Sequence, residues 1–264
     1  MFPNLYWDVV TLQRKAERGE YPIQPVWGYF VYRTTYKDQK LWDDYLEYIY
    51  QAVKDTTDWR VSSDWWVNPY LPPENRVDSE DKLRAEGEVV KSTFHLCVRE
   101  GPDLDGRSVD EIKKINANWL RSLNELTDSG FSELPGCLSR HLDRDMKHRN
   151  MSMARYDYLI YVDDDMLDKF REIRAANTTD EHPEFAPSFK HNVAVKVAWA
   201  GDMKDLFSDS DSDSDSEPDP DTTKVWQLLH VYRLPRFYDI LVGSNEAWWG
   251  YFRRPPHLNL LPLD

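Results

Sequence analysis

The sequence predicts an α+β or α/β protein, a single sheet of about four or more strands covered by helices. Three observations predict it. Short runs rich in β-branched and aromatic residues alternate with longer segments of helical apolar spacing, in the order strand, helix, strand, helix, strand, helix, strand. The 264 residues are enough to bury a full core. The 11 Trp, 15 Tyr and 10 Phe supply that core with large apolar side chains, far from a disordered composition. A single domain over residues 1–264 is expected, interrupted by an acidic Ser/Asp insertion at about 205–223, and no internal repeat occurs.

Residues 7–18 form a short helical candidate that ends at Gly19 and is followed by Pro22 and Pro25. Residues 26–36 are dense in aromatic and β-branched side chains and predict a strand. A helix follows at once. Asp38 is placed to accept from the open N–H groups of its first turn, and Trp42, Tyr45, Leu46, Ile49 and Val53 form its buried stripe as far as about Lys54. Residues 59–73 are aromatic but broken by three prolines, and predict an ordered loop or edge strand. Residues 74–88 are polar and predict a loop with a helical turn.

In residues 92–99, Phe94, Leu96 and Val98 alternate with Thr93, His95 and Cys97, which predicts a second strand ended by the turn at 100–106. Ser108 then caps a helix, Glu111 completes a capping box, and Ile112, Ile115, Trp119, Leu120 and Leu123 line its buried side. Residues 129–155 are irregular and the most basic part of the chain. Residues 156–162 predict a third strand, 163–173 a helix at its end, and 192–199 a fourth strand. Apolar periodicity returns at 224–242, so the acidic insertion interrupts one folded body. Residues 248–256 are aromatic, basic and stopped by prolines.

The formal net charge of −14 argues against a general nucleic-acid-binding surface, but half of it comes from residues 208–221, which hold seven acids and no base. With nothing apolar to bury, that segment is expected to be disordered, and its alternating Ser and Asp resemble a target for an acidophilic kinase. The mixed-charge segment with Arg140, Arg144, Lys147 and Arg149 is the one place to look for a phosphate contact. Cys97 and Cys137 are too few for a disulfide framework and lack zinc-site spacing, so reduced thiols are expected. No apolar run approaches the ~20 residues of a membrane helix. The first residues lack a basic region followed by an apolar core, which leads to the expectation of a cytoplasmic protein.

The Gly-rich phosphate loops, the GxSxG elbow and the HExxH zinc motif are all missing from the sequence. Asp163, Asp164 and Asp165 stand where a strand gives way to a helix, a common place for metal-binding acids. The preferred account is structural: Asp165 caps the helix with Asp168 at the capping-box position, while Asp163 and Asp164 face its N-terminal dipole. Asp43, Asp44 and Glu47 lie off the apolar stripe of their helix. Their mutual repulsion costs the helix a few tenths of a kcal/mol per pair, ~0.2–0.5, so they are either solvated or kept for a cation or a proton.

The pattern Asp43-Asp44-x-x-Glu47, directly after the aromatic strand at 26–36, resembles the DDxxE motif of the fungal arginine-containing cyclodipeptide synthases. The resemblance implies an enzyme of fungal secondary metabolism that joins arginine from its aminoacyl-tRNA to a second aminoacyl unit and closes a diketopiperazine. It also implies activity carried by Asp43, Asp44 and Glu47, with charged tRNA as partner. A carboxylate cluster suits this chemistry, because it can hold a guanidinium by bidentate hydrogen bonds or accept a proton from the attacking amine. An ester to tRNA is already activated, so no cofactor and no metal is expected. The competing expectation is a non-enzymatic interaction protein regulated through its acidic Ser-rich segment.

Overall fold

The computed structural model describes residues 27–62, 73–125, 157–176, 193–200 and 226–241, together with 248, 252, 253, 255 and 257–259. Its centre is β1 (Phe30–Arg33), four residues buried on both faces, as a central parallel strand must be. The chain continues through α1 (Gln39–Ser62), α2 (Pro73–Thr93), β2 (Cys97–Arg99), a 3₁₀ turn (Pro102–Leu104) and α3 (Val109–Glu125). Then come β3 (Tyr158–Val162), α4 (Asp164–Ala176), β4 (Ala194–Trp199), β5 (Trp226–His230), a second 3₁₀ turn (Val231–Arg233), α5 (Leu234–Leu241) and β6 (Leu258–Asn259).

All six strands join one mixed sheet in the order β2-β1-β3-β4-β5-β6. β1 runs parallel to both β2 and β3, β4 is antiparallel to β3 and β5, and β6 is parallel to β5. The connection from β1 goes to β2 on one side, and the next one returns past β1 to β3 on the other. Right-handed crossovers in opposite directions require helices on opposite faces of the sheet. The packing agrees. Tyr29 and Val31 join a core built from α1, α2, α4 and α5, whereas Phe30 and Tyr32 join a smaller one with Leu104 and Ile112, against which Ile115 and Trp119 of α3 pack.

Local chemistry explains most of the boundaries. Asp38 caps α1, its carboxylate accepting from the Leu41 amide at 2.9 Å, and Trp42, Tyr45, Ile49 and Val53 are buried as their spacing requires. The capping box at α3 is present in full: the Glu111 carboxylate accepts from the Ser108 amide at 2.9 Å and the Ser108 hydroxyl accepts from the Glu111 amide at 3.4 Å. Buried aromatic side chains are tied at their polar ends. Tyr29 donates to the Leu234 carbonyl at 3.0 Å, Tyr45 to that of Ala194 at 2.7 Å, and the Trp27 indole to that of Val90 at 2.8 Å.

Three boundaries differ from the sequence expectation. α1 continues beyond Lys54 to Ser62, because Thr56 and Thr57, both buried, satisfy their hydroxyls on the Ala52 and Val53 carbonyls one turn back. Residues 73–93 form a helix where a polar loop with one helical turn and the start of a strand were expected. Strong helix formers carry α2, while burial of Val90 and Thr93 and the ion pair of Lys91 with Asp58 dock it on α1.

The second strand shortens accordingly to Cys97–Arg99. Ahead of it, Phe94 bridges Trp27, and the chain runs so close to β1 that a Cβ on Gly28 would lie 2.0 Å from the His95 carbonyl oxygen. Gly28 also has φ 134°, which L side chains rarely adopt. The helix expected at 7–18, most of the loop at 59–73, the basic segment at 129–155 and the acidic insertion lie outside the described residues.

Candidate functional site

In an open sheet of parallel strands, ligands bind beyond the carboxyl ends of the strands at the point where the connections change direction. Here that point lies between β1 and β3. The residues that follow β1, β2 and β3 meet there, joined by Lys196 of β4. The edge is charged and closely bonded.

Thr34, buried, links the two strand ends: its amide and hydroxyl both donate to the Val162 carbonyl, at 2.9 and 3.1 Å. Thr35 and Lys37 donate to opposite oxygens of Asp164. Lys196, its side chain only 10% exposed, bonds Asp163 at 2.6 Å and reaches Asp165 at 3.3 Å. The other oxygen of Asp163 accepts from the Met166 amide at 3.1 Å. The cap of α4 is therefore Asp163 and not Asp165. The reason is where the chain turns: β3 ends at Val162, so the helix opens at Asp164 and the residue between them takes the capping position. Asp168 has no part in that cap and pairs with Arg171 one turn on.

Hydrogen bonds to lysines favour the ionised form of two of these groups, Asp164 and Asp165. Lys37, then Thr35, hold Asp164 below the usual carboxylate range, and Lys169 and Lys196 do the same for Asp165. Lys37 is pushed up in return by Asp164. A general base works best with a pKa near the operating pH. Asp164 and Asp165 are placed to bind and orient cationic groups, and poorly placed to take up protons.

The second charged corner is Arg33, the last residue of β1, whose side chain is 3% exposed. Its Nε donates to the Thr35 carbonyl at 2.8 Å, its Nη1 to Gln39 Oε1 at 2.8 Å and to Glu100 at 3.2 Å. The guanidinium stacks on Tyr36 and Trp42, 4.5 and 4.9 Å from the ring centroids. Residues 100–108 cross the ends of β1 and β3 as a strap. The Gly101 amide donates to Tyr36 Oη at 2.7 Å, the Gly106 amide donates to the Thr34 carbonyl at 3.0 Å, and Tyr161 Oη donates to the Arg107 carbonyl at 2.8 Å.

The acids singled out in the sequence stand beside this edge, on the outer side of α1. Asp43 is exposed and accepts from Gln39 Nε2 at 2.8 Å, which joins it through Gln39 to Arg33. Asp44, 22% exposed, is paired with Lys40 at 2.7 Å and with Arg174 of α4 at 2.5 Å, and these two hold it below the usual carboxylate range. Glu47 is exposed. Asp38 and Asp44 thus both meet α4, through Arg171 and Arg174. Arg140, Arg144, Lys147 and Arg149 lie outside the described residues, as does Cys137, and Cys97 is a buried thiol.

Sequence reasoning did not single out Arg33, Glu100 or Lys196. A signal was there for Arg33 and Lys196, each a cation inside an apolar run that reads as a buried strand. Glu100 carried none. Among the described residues no group of His, Cys, Asp and Glu is placed to hold a metal ion, and no helix is long and apolar enough to cross a membrane. Comparison with known proteins yields no matching family model, no matching curated protein and no matching solved structure.

Proposed function

We propose that this chain is an aminoacyl-transferring enzyme that makes an arginine-containing cyclic dipeptide from two aminoacyl esters of tRNA, with the start of α1 at the rim of its active site. One observation carries the reading. The hydrogen-bond chain from Asp43 through Gln39 to Arg33 and Glu100 ties the first acid of Asp43-Asp44-x-x-Glu47 to the carboxyl edge where this topology binds ligands. Acids on a remote helix face would have no such link.

Asp44 already holds one guanidinium, that of Arg174, which illustrates what a carboxylate at this place binds well. Asp43 and Glu47, one turn apart and exposed, are open to a second. In the reaction the α-amine of one aminoacyl unit attacks the ester carbonyl of the other. An amide forms, and the tRNA oxygen leaves with the proton. Repeating the step within the linear product closes the ring, so two esters are exchanged for two amides and two tRNAs are released. Arg140, Arg144, Lys147 and Arg149 are the residues proposed to meet tRNA phosphates.

The test is expression in a heterologous host, with extracts examined for new arginine-containing cyclic dipeptides. Asp43→Asn and Glu47→Gln are expected to lower product about 10- to 100-fold, the range for losing a hydrogen bond to a charged group, while the melting temperature stays put. Asp44→Asn also loses its contacts to α1 and α4 and is expected to melt slightly lower. No product from the wild type when charged tRNA is supplied overturns the proposal. That result favours the interaction-protein reading, which rests on residues 208–221, outside the described residues.

A further inference from the structure

We infer that Arg33 is a gated binding site for an anionic group of a ligand, a carboxylate or a phosphate, and that Glu100 occupies its anion position until the ligand arrives. The inference does not depend on which reaction the protein performs.

The guanidinium is held in a rigid frame. The Thr35 carbonyl, Gln39 and the rings of Tyr36 and Trp42 fix its plane and direction, and all four belong to the connection after β1 or to the start of α1. Glu100 is different in kind. It is 53% exposed while its partner is 3% exposed, and at 3.2 Å it makes the longest of the three polar contacts on Arg33. It also belongs to another segment, the strap at 100–108. The strap lies at the topological switch point, it is exposed at Pro102, Asp103, Asp105, Gly106 and Arg107, and Gly106 turns it at φ 67°.

The electrostatics couple the two events. Lifting Glu100 without replacement leaves a buried cation with no counter-charge, which is strongly unfavourable. An incoming carboxylate or phosphate removes that obstacle because it takes over the same donor, and planar guanidinium is well matched to both. Anion binding at Arg33 and release of the strap at its Glu100 end are therefore one equilibrium. The remaining anchors of the strap are neutral hydrogen bonds, two between Tyr36 Oη and the Gly101 backbone, one from the Gly106 amide to the Thr34 carbonyl and one from Tyr161 to the Arg107 carbonyl, and Leu104 is its buried apolar plug, so release at Glu100 leaves the rest of the strap in place.

The experiment uses the full chain with Glu100→Gln, which keeps size and hydrogen-bonding capacity and removes the charge. Arg33 itself is too buried for a substitution to be informative. Melting temperatures of wild type, Glu100→Gln and a control, Asp164→Asn, are measured against sodium phosphate and sodium acetate, with sodium chloride at matched ionic strength. Amide exchange of residues 100–108 is followed by mass spectrometry. The expected result is that Glu100→Gln melts lower in chloride and is restored by phosphate, acetate or both beyond chloride. Its strap amides at the Glu100 end should exchange several-fold faster than in the wild type, with β1 and β3 unchanged. Restoration by phosphate alone or acetate alone assigns the ligand group. A Glu100→Gln variant with wild-type strap exchange and no response beyond chloride overturns the inference, as does an equal anion response in Asp164→Asn.

Discussion

At the scale of single residues, the capping box of α3 gives the clearest chemical signature. The Ser108 amide first, then the Arg107 guanidinium and the Ser108 hydroxyl, hold the Glu111 carboxyl down from 4.5 to about 2. A carboxyl whose pKa is lower in the folded state adds stability above its unfolded pKa and loses it as pH falls through the folded one. For Glu111 that window runs from 4.5 down to about 2. Glu111→Gln is therefore expected to melt below the wild type at neutral pH, with the gap closing as the pH approaches 2. The side chain is exposed, so the gap is small. Thermal melts of both proteins across this range check it, and a gap that persists undiminished at the acid end would show that the box works through hydrogen bonds alone. Both residues were legible in the sequence, because a capping box is a local pattern spanning four residues.

At the scale of elements, the junction of β1 with the segment leading into β2 is the tightest place described. Gly28 combines φ 134° with a carbonyl where its Cβ would be, whereas Gly106 has φ 67° and nothing within 4 Å of a Cβ. Both substitutions to Ala cost the backbone ~1–3 kcal/mol for a conformation L residues avoid. Gly28→Ala adds a collision with main chain that no rotamer relieves. Urea unfolding is expected to rank Gly28→Ala well below Gly106→Ala, and equal stabilities would show that β1 and the chain at His95 can separate at little cost. α2 shows the opposite limit of legibility. Its residues have helix-forming side chains but no apolar stripe, so the sequence suggests a polar loop until the face of α1 is there to receive Val90 and Thr93.

At the scale of the whole molecule, β4 and β5 decide how the acidic insertion is accommodated. They are antiparallel neighbours with Ala198 paired to Trp226, so the chain leaves the sheet and re-enters it at adjacent points. Removing residues 208–221 shortens an excursion whose two ends the sheet already holds together. The cost of closing such a loop varies only slowly with its length, by ~0.6 kcal/mol per doubling. The deletion is expected to leave the melting temperature nearly unchanged, and a large fall would show that the acidic run is docked on a basic surface, for which residues 140–149 are the first place to look.

The sequence by itself determined the class of fold, the caps at Asp38 and Ser108, the buried stripe of α1 and the core of β1, β3 and β4. Each of these follows from periodicity or from hydrogen bonds between near neighbours. It also marked Asp43, Asp44 and Glu47 as a cluster. Only the tertiary structure decided that β1 lies between β2 and β3, and with it that the chain turns back on itself beside Arg33. The partners at that edge are far apart in sequence: Arg33 with Glu100, Thr35 and Lys37 with Asp164, Lys196 with Asp163, Asp44 with Arg174. No local pattern announces them. A charge inside a strand or on a helix declares only that it needs a partner, and which one it finds depends on the order in which the strands are laid side by side.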